Sequence, residues 1–306
     1  MAIGSILGSG TLGILIPPSI MLIVFGEIMQ IPIGQIFAAA LFPGLLLGVL
    51  YMVYIAVRAT LNPTAAPANP VPDQRPLGQR LREVLINLIG PAVLIMSVLI
   101  SIIVGVATPT EGAAIGAFGA MVIAWLSGNL RWPALWEALR ETSLMTGMIL
   151  ILAVCATAFS LIFKRIGGQA MIEQAIGLLG SNPYMVILAI MILLFILGFF
   201  LEWIEISFLV LPMFAPVVAG LDFGTTFADR DQLMVWFAIL VAVNLQTSFL
   251  TPPFGYALFY LKGANIEGVS MGDIYRSVIP IVLLQLLGLV LIVAFPSISL
   301  WLASLV

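Results

Sequence analysis

The chain has 306 residues, 62% of them apolar and only 8% charged, with 11 Lys and Arg against 14 Asp and Glu for a formal net charge of −3. That balance lies far outside the range of a soluble domain and reads as a polytopic membrane protein with no sizeable soluble part left over. Histidine is absent and Cys155 is the only cysteine, which argues against metal, haem and iron–sulfur sites, disulfides and histidine-based catalysis. There is no Gly-x-x-x-x-Gly-Lys-Ser/Thr loop for ATP and no basic patch for nucleic acid, so energy is expected from an ion gradient or a partner.

Met1-Ala-Ile-Gly-Ser5 lacks the basic region of a secretory signal. The first notable stretch is Gly8-Ser-Gly-Thr-Leu-Gly-Ile-Leu-Ile-Pro-Pro-Ser19, followed by an apolar run from Ile20 that continues to Met29. Two prolines in a row lack N–H donors and clash with the turn before them, so a helix must stop and restart there. A first half of only about ten residues leads to the expectation that further protein, missing or encoded elsewhere, lies ahead of it. After a loop with Pro32 and Gly34, Gln35–Val57 is a full span ending at Arg58. Thr60–Arg82, rich in Pro and carrying Arg75, Arg80 and Arg82, is a loop leading into a short amphipathic helix. Val84–Ala107 and Ala113–Leu126 are spans around Thr108-Pro-Thr-Glu111, where Glu111 is a first-turn acid complementing the helix dipole. Gly112, Gly116 and Gly119 recur at helical spacing and predict close helix packing. Arg131–Glu141, with Trp132 and Trp136, reads as interfacial, and Thr142–Phe163 as the next span.

Beyond a connector at Gly167–Leu179, the apolar arms Tyr184–Phe200 and Phe208–Ala219 flank Leu201-Glu-Trp-Ile-Glu-Ile-Ser207. Each arm is at most barely span-length, which predicts a re-entrant hairpin with Glu202 and Glu205 near its tip. Two tilted full spans with the glutamates on a surface loop are the alternative. Asn244-Leu-Gln-Thr-Ser-Phe-Leu-Thr-Pro-Pro-Phe-Gly255 then repeats the proline-paired interruption between Leu233–Val243 and Tyr256–Leu261, and Val278–Leu302 is the final span. In lipid such unwound polar backbone is tolerated only inside protein or along a polar cavity. A pair of functionless proline kinks is the duller reading.

Basic residues accumulate in cytoplasmic loops. With the Arg58 side inside and the hairpin opening outward, Arg58, Arg75, Arg80, Arg82, Arg131, Arg140, Lys262 and Arg276 face inside and only Lys164, Arg165 and Arg230 outside, eight against three. The two broken helices then run in opposite directions, the sign of an inverted repeat. The reading is an all-α polytopic membrane protein with an inverted repeat, broken helices and a re-entrant hairpin. Its parts are the end of the first repeat at 1–58, a cytoplasmic loop and interfacial helix at 59–83, scaffold spans at 84–180, the second repeat core at 181–262, and the C-terminal span at 263–306.

Gly-Thr-Leu-Gly-Ile-Leu-Ile-Pro-Pro-Ser (10–19), Ala-Thr-Pro-Thr-Glu (107–111), Gly-Phe-Phe-Leu-Glu-Trp-Ile-Glu-Ile (198–206) and Leu-Thr-Pro-Pro-Phe-Gly (250–255) resemble the large membrane subunit of tripartite ATP-independent periplasmic (TRAP) transporters, in the family's order and from about residue 4 to the C-terminus. The run Val243–Tyr260 is similar to the branch labelled mannitol/chloroaromatic. The resemblance implies a bacterial inner-membrane, sodium-driven elevator that imports small organic acids, and so not an enzyme. Its implied partners are a periplasmic substrate-binding protein and a small membrane subunit, with Na+ as coupling ion and no other cofactor. Two departures stand out: the family's N-terminal part with an inward-opening hairpin is absent, and Glu202 stands where many members have Asp. A stand-alone organic-anion symporter and a truncated, inactive permease fragment are the alternative functions.

Sodium takes several neutral oxygen ligands, so Ser9, Gly10, Thr11 and Gly13 at the first break and Asn244, Thr247, Ser248 and Thr251 at the second are the cation-site candidates. The bland alternative is that these groups only satisfy freed backbone. No Lys or Arg lies inside a predicted span. A carboxylate substrate would therefore rely on half-helix N-termini near Pro18, Ser19 and Pro253, with Ser19 also a plain N-cap candidate. Glu202 and Glu205, at membrane depth in the hairpin reading, join the substrate-site candidates and are suited to hold a cation, orient the tip or carry a proton.

Overall fold

The computed structural model describes residues 1–63, 76–178, 180, 182–252, 255–263 and 269–306, apart from the side chains of residues 86 and 87. Every regular element among these residues is helical. Six helical stretches, taking the first two helices together, have the length and hydropathy to cross a bilayer. The predicted Arg75 lies outside the described residues, as do Pro253 and the rest of residues 64–75 within the segment 59–83.

Contacts between helices give the direction of each. Helix α1 (Ala2–Leu15) climbs α13 (Met271–Ala294) in the same sense: Gly4 lies against Ser277, Gly8 against Ile281 and Thr11 beside Gln285. Helix α11 (Arg230–Ser248) descends beside them, with Trp236 Nε1–H donating to Ile292 O at 3.1 Å near its start and Gln246 reaching Thr11 near its end. Hence α1 and α11, the first halves of the two broken helices, are antiparallel and cross at Thr11 and Gln246. That is the relation an inverted repeat requires.

Helix α3 (Ile33–Leu61) runs against α13, with Gly34 near Val306, Phe42 packed on Trp301 at 5.5 Å and Leu47 against Gly288. Helix α4 (Leu77–Ile103) returns beside it, and α5 (Pro109–Leu126) reverses again, seating Gly112, Gly116 and Gly119 on Ile102, Val98 and Leu94 as the glycine spacing predicts. Following these reversals places Arg58, Arg80, Arg82, Arg131, Lys262 and Arg276 toward one end and Lys164, Arg165 and Arg230 toward the other. This is the charge asymmetry expected from the sequence.

Three boundaries differ from expectation. The final span expected at Val278–Leu302 starts earlier and ends at Ala294, because Pro296 cannot continue the helix, and a short helix, Ser297–Ala303, follows. Arg131–Glu141 and Thr142–Phe163 form one helix, α6 (Trp132–Arg165), because no Gly or Pro between residues 134 and 146 gives the backbone a reason to break where the charges of Arg140 and Glu141 interrupt the apolar run. Its 34 residues span ~51 Å, so its first turns reach beyond a hydrocarbon core of ~30 Å. The helix ahead of Val84 is likewise continuous with α4. Glu111 does more than complement a dipole: Thr108 Oγ1 accepts from the Glu111 N–H at 3.3 Å while a Glu111 carboxylate oxygen accepts from the Thr108 N–H at 2.7 Å, a capping box opening α5. Thr108→Ala is expected to cost about 1 kcal/mol, read as a drop of about 2 °C in the thermal midpoint.

After α7 (Gly168–Gly177), the hairpin is formed by α8 (Pro183–Leu197), α9 (Trp203–Leu209) and α10 (Leu211–Val218). Tyr184, at the start of α8, packs on Phe223, just past α10, at 5.1 Å, and Phe223 packs on Trp236 at 5.7 Å. At the other end Gly198 abuts Ser248, and between them Asn244 Nδ2 donates to Met191 O at 2.8 Å. The chain thus goes in from the Trp236 level to the Ser248 level and comes back out. The 15 residues of α8 reach only ~22 Å, short of a full crossing. Of the two alternatives the re-entrant hairpin holds. Its arms do not pack along each other: α8 lies on α11, α9 lies on α6 and on α2 (Ile20–Met29), and α10 lies on α2.

Buried apolar side chains come mainly from α1–α3, the hairpin, α11 and α13, and α14 (Ser297–Ala303) adds only Ala303. Helix α4 adds Val98, Leu99 and Ile102, and α6 adds only Ala156. A dense core therefore stands beside loosely attached outer helices.

Candidate functional site

The first break is short. Helix α1 continues to Leu15, Ile16 is extended, and Pro17 and Pro18 carry no donors. Ser19 is the N-cap of α2: its Oγ accepts from the Leu22 N–H at 3.4 Å, and its hydroxyl donates to the Ile14 carbonyl, tying the two halves together. Ser9, Gly10, Thr11 and Gly13, expected on unwound backbone, are helical instead. Their polarity does not open the helix, because a Ser or Thr hydroxyl bonds back to the preceding turn: Ser9 Oγ donates to Ile6 O at 3.1 Å and Thr11 Oγ1 to Gly8 O at 2.9 Å.

At the second break α11 runs to Ser248 and α12 (Tyr256–Gly263) restarts. Asn244, Thr247 and Ser248 are again helical, and only Thr251 of the four candidates lies in the interruption. Several carbonyls expected to be free are occupied: Thr247 O accepts from Leu250 N–H, Phe249 O from Ala257 N–H, and Thr251 O from Gly255 N–H. Thr247 Oγ1 donates to Asn244 O at 2.6 Å and Thr251 Oγ1 to Thr247 O at 3.1 Å, which leaves the oxygen lone pairs of both hydroxyls open to a cation. Ser248 Oγ is buried without a protein partner among the described residues and faces Gly198, where an added Cβ would meet it at 2.1 Å. The hairpin tip and the second break thus form one contact, made possible by the missing side chain of Gly198.

The two breaks are not at one depth. From the crossing at Thr11 and Gln246, the first lies ~7 Å toward one end and the second ~4 Å toward the other. They also face different spaces. Pro18 and Ser19 line a mostly apolar cavity of about 320 Å³ shared with α4 and α5. Gly10, Thr11 and Glu202 line another, of about 650 Å³, with Phe249, Tyr256 and Met148. Ser9 and Gly13 are exposed and line neither. Glu205 keeps one carboxylate oxygen buried and without a partner among the described residues.

Sequence reasoning missed a buried polar cluster at the crossing. Gln246 Nε2 and Gln285 Nε2 both donate to Thr11 Oγ1, at 3.2 and 3.4 Å, the Tyr51 hydroxyl lies against the Gln285 amide, and Gln246 Oε1 has no partner among the described residues. Gln285 is the lone polar residue in the apolar run Val278–Ala294 of α13, and that was the available signal. The aromatic and Met lining of the larger cavity was equally hidden, since Tyr256, Tyr260 and Met148 read as ordinary parts of apolar runs.

Antiparallel broken helices, the second of which meets a hairpin tip, inside an all-α bundle define a polytopic membrane protein. The model of the family described as "Tripartite ATP-independent periplasmic transporter, DctM component" matches residues 1–298, and the chain belongs to that family. It is 30% identical to the C4-dicarboxylate TRAP transporter large permease protein of Pseudomonas aeruginosa over 97% of this chain and 66% of that protein. It is 27% identical to the sialic acid TRAP transporter large permease protein of Vibrio cholerae, over 96% and 65% of the two chains. It is also 27% identical to the ectoine TRAP transporter large permease protein of Halomonas elongata, over 98% and 66%. The chain therefore spans 65–66% of the length of these three relatives.

Proposed function

We propose that this chain is the membrane permease portion of a sodium-coupled importer of small organic acids in the bacterial inner membrane. In this reading it is served by a periplasmic substrate-binding protein and packed beside a small membrane subunit. The observation that carries the reading is the contact of the hairpin tip, at Gly198, with the unpartnered Ser248 hydroxyl at the second break. A sodium ion held by Ser248, Thr251 and Thr247 oxygens would bind the tip to α11, so that cation occupancy and closure of the site become one event. Gly10, Thr11 and Glu202 border the cargo cavity; Ser19 serves as a cap, and Pro18, Ser9 and Gly13 have no direct part.

The core of α1–α3 and the hairpin, α11, α12 and α13 would move as one body against α4–α6, an elevator. Support for this division lies in side-chain burial, nearly complete along α11 and confined to Ala156 among the apolar residues of α6, with α9 the core element on which α6 packs. The repeat boundaries belong to the same proposal, with 1–58 and 181–262 as counterparts. The relatives' names, a C4-dicarboxylate, a sialic acid and an ectoine permease, support organic acids as the cargo class.

Proteoliposome uptake of radiolabelled organic acids, with and without an inward sodium gradient and with and without periplasmic extract, tests the proposal. Uptake is expected only with both. Uptake with sodium alone points to a stand-alone symporter, and uptake indifferent to sodium contradicts the coupling.

A further inference from the structure

The larger cavity has a one-sided chemistry. Glu202, at the hairpin tip, is the one charged side chain among its described lining residues, and no Lys or Arg lines it. The rest of its wall is soft and polarisable: Phe249, Tyr256 and Tyr260 from the second break and α12, and Met145 and Met148 from α6. At the start of α12 the amides of Gly255 and Ala257 already donate to the carbonyls of Thr251 and Phe249, so neither is free to receive a carboxylate oxygen. A bare carboxylate placed here would meet a like charge with nothing to offset it. A substituted ammonium or guanidinium group would meet a carboxylate, aromatic rings that attract cations, and thioethers that tolerate them.

We infer that the cargo of this cavity carries a positive nitrogen centre held between Glu202 and the Tyr256 and Tyr260 rings, so that an organic acid accepted here is a zwitterion. The inference rests on reading this cavity as the permease's cargo site. It separates Glu202 from the cation-coupling oxygens at Ser248 and Thr251: the glutamate selects cargo and the hydroxyls hold the coupling ion. Because Glu202 stands on the tip and Met145 and Met148 on α6, a bound positive centre also spans the boundary between the core and the outer helices.

Shape-matched acids that differ only in charge test this on the purified chain in sodium, by isothermal titration. Trimethylammonioacetate is paired with 3,3-dimethylbutanoate, and 4-guanidinobutanoate with 4-ureidobutanoate. In at least one pair the positive member is expected to bind about tenfold tighter or better. Glu202→Gln should abolish that preference, and Tyr260→Ala should weaken the positive member several-fold, with the sodium-dependent rise in thermal midpoint kept in both variants as evidence of an intact fold. Failure of both positive members to outbind their partners, or a preference that survives Glu202→Gln, overturns the inference. Sodium-dependent binding of succinate without any such preference overturns it while leaving the proposed permease standing. Loss of all sodium-dependent acid binding and uptake removes the permease reading itself.

Discussion

Thr11→Val is expected to lower the thermal midpoint of the purified protein by several degrees, more than removing all three side chains of its cluster. Thr11 Oγ1 is the shared acceptor for the Gln246 and Gln285 amides, and all three residues are at most 2% exposed. Valine keeps the shape but strands two N–H donors beside the Gln246 amide oxygen, which has no partner among the described residues. A stranded buried polar group costs about 1–3 kcal/mol, so the single change should cost about 2–5 kcal/mol. Thr11→Val with Gln246→Leu and Gln285→Leu removes donors and acceptors together, and such a replacement is close to neutral. A triple variant no more stable than the single one would show that the cluster holds α1, α11 and α13 together by its hydrogen bonds rather than merely enduring their burial.

Gly198→Ala is expected to abolish sodium-dependent behaviour with a smaller loss of stability. The alanine Cβ would sit 2.1 Å from Ser248 Oγ, 2.8 Å from Ser248 Cβ and 3.3 Å from Leu194 O, so the hairpin tip must retreat from the second break. Overpacking of this kind costs about 1–3 kcal/mol, whereas a misplacement of ~1 Å at a working site costs about a hundredfold in activity. Pairing it with Ser248→Gly relieves the clash but removes the hydroxyl. The double variant should regain the thermal midpoint measured without sodium and still show no response to the ion. Recovery of the sodium response in that double variant would remove Ser248 from the proposed site.

These expectations rest on features that were unequally legible in the chain. The breaks were, because Pro17-Pro18 and Pro252-Pro253 make the helix stop by steric and donor loss alone, and the short arms at Tyr184–Phe200 and Phe208–Ala219 were enough to suggest the hairpin. The direction of each helix followed from where Arg and Lys fall. The extent of unwinding was not legible. Polar residues near Pro-Pro looked like irregular backbone, but Ser9, Thr11 and Thr247 donate to carbonyls of the turn before and leave the helix intact to within a few residues of the prolines. Partnerships between distant segments were also beyond reach: nothing local in Gln285 points to Thr11, 274 positions away, and nothing in Gly198 points to Ser248. That Gly10 and Thr11 share a cavity with Phe249 and Tyr256 while Pro18 and Ser19 line another was hidden for the same reason, since periodicity along a helix fixes which residues share a face but not which face meets which cavity.

The central claim is that the hairpin tip and the second break together hold a coupling cation at Ser248. Its most direct test is the thermal midpoint of the purified chain as sodium chloride replaces choline chloride at constant ionic strength, in the wild type and in Ser248→Ala. Binding to the folded state alone raises stability by about 2.7 kcal/mol at a hundred times the dissociation constant. The account expects a saturable, sodium-specific rise in the wild type that Ser248→Ala abolishes; equal midpoints in the two salts, or a rise unchanged by Ser248→Ala, would contradict it.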